Sequence, residues 1–308
     1  MRMEEDADVI MAMLHESLSE GRSFTEEATA FRQRCGRMDP ATALAWAEDE
    51  GGQPIADVLG GWACRDSAAA VAWIKANAYR FSSETDTAMT DAAITGLVAG
   101  LAAQSPEAAV ELLLANGDDP LFRPCLGMAA SITIQRQGII AARQWFRDLA
   151  ESSAPAPFKT ANLEVLLSGR GFSTAELGVS TTMKLAQTAA WYAGEPWFSV
   201  AAAKDLGTCM GETDPVAGAA VMERFQDEET REGFMDTFLL TWFASDAASL
   251  TEWLERNPAN SSFDAMVCRL ANLLAKDDLD AARKWAARIT DPVQKQRLRE
   301  VFSGTQSN

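Results

Sequence analysis

The sequence predicts an all-α fold: a right-handed α-solenoid of stacked antiparallel helical hairpins, about eight units of roughly 27–40 residues each. Three observations predict it. A D-x-x-x-A-x-x-W spacing returns along the 308 residues, and apolar residues fall at helical period with almost no strand signal. Gly, Pro, Asn and Ser gather in short breaks such as "ANGDDP", "ESSAPAP" and "ERNPANSS".

Aligned on the residue that opens each copy, seven anchors fall into register: Asp39, Asp66, Ser105, Gly138, Asp214, Asp246 and Asp278. Four residues later come Ala43, Ala70, Ala109, Ala142, Gly218, Leu250 and Ala282. Seven later come Trp46, Trp73, Leu112, Trp145, Val221, Trp253 and Trp285, and the eighth position is apolar throughout, from Ala47 to Ala286. Positions four, seven and eight share one helical face. Apolar residues also stand four and eight before each anchor, so one helix is expected to end before it and another to begin after it. Asp or Ser suits an N-cap, and Pro40, Pro106 and Pro215 suit the first helical position, where no N–H is missed. On this reading the small residue at position four admits a neighbouring helix, and the five tryptophans are core, filling the space between stacked units.

Taken in order, residues 1–30 read as N-terminal capping helices, with "ADVIMAMLHESLSE" the first. Residues 31–150 read as helical repeats, 151–210 as an irregular, degenerate repeat, and 211–308 as further repeats with a C-terminal cap. The anchors are 27, 39, 33, 76, 32 and 32 residues apart, so the gap between Gly138 and Asp214 has room for one hidden copy. Ser23 with Glu26 and Ser173 with Glu176 form capping boxes, and Asp291-Pro292 repeats the cap-plus-proline device. "ESSAPAP" is the expected hinge. Gly96 with Gly100 and Gly207 with Gly211 lower helix propensity, which predicts close helix packing there.

The D-x-x-x-A-x-x-W core resembles the second-helix signature of Sel1-like repeats, relatives of tetratricopeptide repeats. "WACRDSAAAVAW" is similar to the W-A-x-x-D-P-x-A-A-x-x-W units of uncharacterised bacterial α-helical repeat proteins. The resemblance runs from about Phe31 to the C-terminus with a weak centre. It implies an interaction scaffold and carries no catalytic residues.

Composition narrows the function classes. A formal charge of −17 repels phosphates and anionic lipid, which argues against a nucleic-acid partner. The most apolar run, "AAITGLVAGLAA", falls short of the roughly 20 residues a membrane span needs and reads as a buried helix. The opening "MRMEEDADVIMAMLHESL" is acidic where an export signal is basic. Five scattered cysteines without a C-x-x-C pair argue for free thiols and against zinc. Together these predict a cytoplasmic location.

Chemistry-bearing constellations are scarce. His15 is the sole histidine, which leaves little material for a triad or a histidine metal site. Asp118 and Asp119 in "NGDDPLF" and the pair in "KDDLDAA" read as helix caps; the enzyme alternative makes such carboxylates an interhelical site for a small molecule or diphosphate with Mg²⁺. No catalytic, cofactor-binding or metal residue is therefore assigned. "SGRGFSTAE" places glycines and Arg170 ahead of a helix start, which reads as a helix stop or as an anion nest.

The expected function is a non-catalytic scaffold for a protein or peptide partner. Its candidate contact residues are Trp191, Tyr192, Trp197 and Phe198 of "WYAGEPWF", together with Arg170. A second candidate is the basic C-terminal patch of Arg283, Lys284, Arg288, Lys295, Arg297 and Arg299. Because residues 1–30 hold eight acidic side chains against two basic, the ends differ in sign, and self-association through them is the remaining alternative.

Overall fold

The structure is a computed structural model that describes residues 24–48, 52–80, 87–168, 179–257 and 262–304. These residues form fourteen α-helices and no strand, so the fold is all-α among them. Among the described residues no helix is long and apolar enough to cross a membrane. The chain divides into two compact units, Met1–Ile132 and Thr133–Asn308.

The first unit contains α1 (Phe24–Met38), α2 (Pro40–Ala47), α3 (Gly52–Asn77), α4 (Ala88–Gln104), α5 (Pro106–Ala115) and the first residues of α6 (Met128–Glu151). Helix α3 packs on α1 with one face and on α4 with another, and its Gly60-Gly61 pair explains how. A Cβ on Gly61 would fall 1.9 Å from the Gln33 carbonyl oxygen of α1, and one on Gly60 would fall 2.7 Å from that of Gly96 in α4. The glycines trade helix propensity for backbone contact, as expected for Gly96 and Gly100. The "AAITGLVAGLAA" run lies in α4, where Ala93, Ile94, Leu97, Val98 and Leu101 are buried. Asp57, a buried carboxylate, is satisfied by Arg32 at 3.1 Å, Thr29 Oγ1 at 3.1 Å and Gln53 Nε2 at 3.0 Å.

The second unit holds the remainder of α6, then α7 (Ala156–Ser168), α8 (Val179–Ala190), α9 (Val200–Thr213), α10 (Pro215–Val221), α11 (Glu228–Arg256), α12 (Phe263–Leu274), α13 (Leu279–Ala286) and α14 (Pro292–Gly304). Helix α9 packs on α7, α8 and α11. Gly207 and Gly211 set its closest approach: a Cβ there would stand 2.5 Å from the Phe234 carbonyl oxygen and 2.7 Å from that of Phe238, both in α11.

The seven anchors mark one recurring joint. Asp39, Asp66, Ser105, Asp214, Asp246 and Asp278 leave helical geometry with φ between −141° and −156° and ψ between 69° and 88°. In each aspartate the side chain accepts the N–H three residues on, at 3.3 Å from Thr42, 2.9 Å from Ala69, 3.2 Å from Ala217, 2.9 Å from Ser249 and 2.8 Å from Ala281. Ser105 makes no such side-chain bond, although Pro106 holds the first helical position behind it. Gly138 is the exception, at φ 79° and ψ 167° inside α6. It turns the chain through a conformation that side-chain-bearing residues avoid.

Burial after the joints follows the alignment at two positions and departs from it at a third. Every residue at position four and every residue at position eight is buried. The five tryptophans at position seven are not core: Trp46, Trp73, Trp145, Trp253 and Trp285 are all half-buried. For three of them a ring contact falls within the joint. Trp46 meets Phe31 at 6.3 Å, Trp73 meets Trp62 at 6.5 Å and Trp253 meets Trp242 at 5.9 Å, each across its own joint. In these three the indole closes the angle between the two helices of its joint.

Candidate functional site

The segment that follows α8 turns back on itself through a series of backbone bonds: Trp191 N donates to Thr188 O, Glu195 N to Tyr192 O and Phe198 N to Glu195 O. It is held against the loop that joins α10 to α11. Arg224 Nη1 donates to the Ala190 carbonyl at 3.1 Å, and Gly194 comes so near the Arg224 carbonyl that a Cβ would lie 2.9 Å from its oxygen. The "WYAGEPWF" segment and the stretch from Phe225 to Thr230 thus become the two walls of one cleft. Its volume is about 530 Å3. Pro196, Phe198 and Phe225 give it an apolar side, and Glu195, Gln226 and Asp227 a polar one.

Both phenyl rings are 5% exposed and meet edge to face at 5.7 Å. They belong to a run of rings through the second unit: Tyr192 to Trp197 at 5.7 Å, Phe225 to Phe234 at 5.2 Å, Phe234 to Phe238 at 5.2 Å and Phe238 to Trp242 at 5.5 Å. The floor of the cleft is therefore an outer end of the hydrophobic core, which makes it rigid. Asp227 caps α11, accepting Thr230 N at 2.7 Å and Thr230 Oγ1 at 2.6 Å. Those two donors hold its carboxyl below the usual range, so it is a fixed negative charge at neutral pH. Among the residues lining the cleft none is cationic.

The four aromatic candidates separate on burial. Phe198 is buried, Tyr192 and Trp197 are half-buried, and Trp191 is 69% exposed with the Arg147 guanidinium 5.6 Å from its ring centre. Trp197 is braced from behind: Thr160 Oγ1 donates to its carbonyl, and Lys159 Nζ lies 5.9 Å from its ring. The same ammonium donates to the carbonyls of Ala150 at 2.9 Å and Ser152 at 2.7 Å, capping α6. The segment expected as a hinge, "ESSAPAP", is thereby tied down. Arg170 and His15 lie outside the described residues, as do both capping-box serines, Ser23 and Ser173.

The basic C-terminal side chains are partly spent within the fold. Arg283 pairs with Asp280 at 3.4 Å, Arg288 pairs with Glu255 at 3.6 Å and covers the Trp285 ring at 4.5 Å, and Lys295 Nζ donates to the Ile289 carbonyl at 3.2 Å. Lys284, Arg297 and Arg299 are exposed and form no ion pair among the described residues. The carboxylates of the enzyme alternative are also placed. Asp119 accepts Leu121 N at 3.0 Å and pairs with Lys75 at 2.7 Å, while Asp118 is exposed beside it. Asp278 caps α13. Among the described residues no three His, Cys, Asp or Glu side chains gather as metal ligands.

No single residue pattern announces the cleft, because its walls are joined by backbone carbonyls. The usable signal was that two turn-bearing segments of the same unit each carry phenylalanines beside acidic residues. Comparison with protein-family models, with curated proteins and with solved structures finds no match to this chain.

Proposed function

We propose that this chain is a non-catalytic helical-repeat scaffold, an α-solenoid of stacked hairpins related in kind to Sel1-like and tetratricopeptide repeats, that binds a protein or peptide partner. The observation that carries the reading is the joint itself. Six anchors with one backbone conformation, each followed by buried residues at positions four and eight, favour a repeated hairpin that buries its face against neighbours. Such units leave an extended surface for recognition, and the cleft between residues 193–198 and 225–230 supplies a concave place on it with Trp191 exposed close by in sequence.

The test is affinity capture from native lysate beside a variant that stays folded. Trp197 and Phe198 belong to the ring run and are unsuitable for truncation. Trp191→Ala combined with Glu195→Lys changes only exposed side chains. A partner enriched by the native chain and lost by the folded double variant supports the scaffold. Enrichment of nothing, or an identical set for both proteins, overturns it at this site.

A further inference from the structure

We infer that the cleft at residues 193–230 receives an arginine or lysine side chain carried by an extended peptide segment of the partner, with an apolar neighbour beside it. The inference rests on the scaffold reading and adds the chemistry of what is recognised.

The cleft is two-sided in a way that excludes most other occupants. Phe198, Phe225 and Pro196 give its lining an apolar side that suits methylene groups, and Glu195 and Asp227 bring two carboxylates to the same lining, beside Gln226. A wholly apolar ligand would strip water from both carboxylates without replacing it. An anionic ligand would meet them at close range. The positive end of α11 does not rescue an anion, because Asp227 already occupies the Thr230 N–H and Glu228 and Glu229 fill the first turn. A long cationic side chain satisfies both sides at once: its stem lies on the apolar side and its head meets the carboxylates. Arginine suits the site best, since its planar guanidinium fork matches the geometry of carboxylates.

The volume agrees with this occupant. About 530 Å3 lies within the span of pockets that enclose small ligands, enough for one long side chain and the residue next to it. Asp227 is held in place by Thr230 before any ligand arrives, so little ordering opposes binding. The chain's net charge of −17 draws cationic segments from a distance.

The experiment passes a degenerate peptide library, each position randomised over all residues except cysteine, over the immobilised full chain in low salt. Retained peptides are read by mass spectrometry. The same library is passed over Glu195→Gln/Asp227→Asn, in which asparagine keeps the helix cap while both charges go. Far-ultraviolet circular dichroism and melting confirm that this variant is folded. The expected result is enrichment of Arg or Lys beside an apolar residue, with binding of a selected peptide roughly tenfold weaker to the variant and weakened by salt. Selection of acidic or neutral peptides overturns the inference and leaves the scaffold reading standing. Selection of basic peptides equally by both proteins moves the site elsewhere and also overturns it. Retention of no peptide by the native chain overturns the scaffold reading itself. Self-association at low salt that the double variant abolishes overturns the inference of a separate partner, because a second copy then occupies the cleft.

Discussion

Trp242 and Trp253 meet edge to face with ring centres 5.9 Å apart, four residues before and seven residues after the Asp246 joint, yet only Trp242 is wholly buried. Its indole N–H finds no hydrogen-bond partner among the described residues, so its stabilising effect there is packing. Trp242→Ala is expected to lower stability by about 3–5 kcal/mol, the range for a large side chain removed from a core. Trp253→Ala is expected to lose less, about 1–2 kcal/mol, because part of its side chain already meets water. Urea denaturation of the two variants checks this. Equal losses would mean that Trp253 is as buried as Trp242.

That difference shows what a repeat pattern can convey. The joints were legible because an N-cap is local chemistry: Asp39, Asp214 and their equivalents bond the third residue onward without reference to the rest of the fold. Burial at positions four and eight was legible from helical period. Depth at position seven was not, since periodicity identifies a face but not how far a side chain of indole size is covered. The cleft was less legible still. Its walls meet through the Arg224 guanidinium on the Ala190 carbonyl and the close approach of Gly194 to the Arg224 carbonyl, and a backbone acceptor leaves no pattern in the sequence.

The contact between α3 and α4 offers a sharper packing test. A Cβ on Gly100 would lie 2.3 Å from the Gly60 Cα, and the obstacle is backbone, which cannot rotate away. Gly100→Ala gains helix propensity but must push two helices apart, and a net loss of about 2–3 kcal/mol is expected. A variant that melts at or above the native temperature would show that the helices are further apart than described.

At the joints, two kinds of turn predict two kinds of sensitivity. A Cβ on Gly138 meets nothing within 4 Å, so Gly138→Ala tests conformation without a clash. Its φ of 79° is strained for alanine, and a loss of about 1–3 kcal/mol is expected. At Asp246, by contrast, Ala removes the bond to Ser249 N and loses about 1 kcal/mol, whereas Asn retains most of it. Denaturant midpoints of the three variants distinguish these cases, and indifference at Gly138 would rule out the positive-φ turn.

Asp264 ties the approach of α14 to α12, accepting Thr290 N at 2.9 Å, Thr290 Oγ1 at 2.6 Å and Asp291 N at 2.8 Å. Partial burial raises its pKa, but these donors outweigh burial and leave it below the ordinary value. A carboxyl depressed in the folded state contributes stability that is fully present above its unfolded pKa of about 3.9 and disappears as pH falls through the folded value. Asp264→Ala is therefore expected to lose about 2 kcal/mol at pH 7, with the gap from the native chain narrowing below about pH 4. Urea midpoints from pH 7 to pH 3 measure it. A gap that widens in acid would contradict the assignment.

The five thiols are all free, and burial pushes every one of them up, Cys125 to about 12 and Cys209 to about 11. Since the thiolate is the reactive form, Cys125 and Cys209 hold the smallest thiolate fractions of the five at pH 8. Both are also shut away from reagent, Cys125 fully and Cys209 in part. A disulfide-exchange reagent at pH 8 is expected to label Cys125 and Cys209 last in the native chain, after Cys35, Cys64 and Cys268. All five should react at once in denaturant. Mass spectrometry of timed samples gives the order, and early labelling of Cys125 would mean that the turn from Pro120 to Cys125, with Phe122 beneath it, opens well before the rest of its unit.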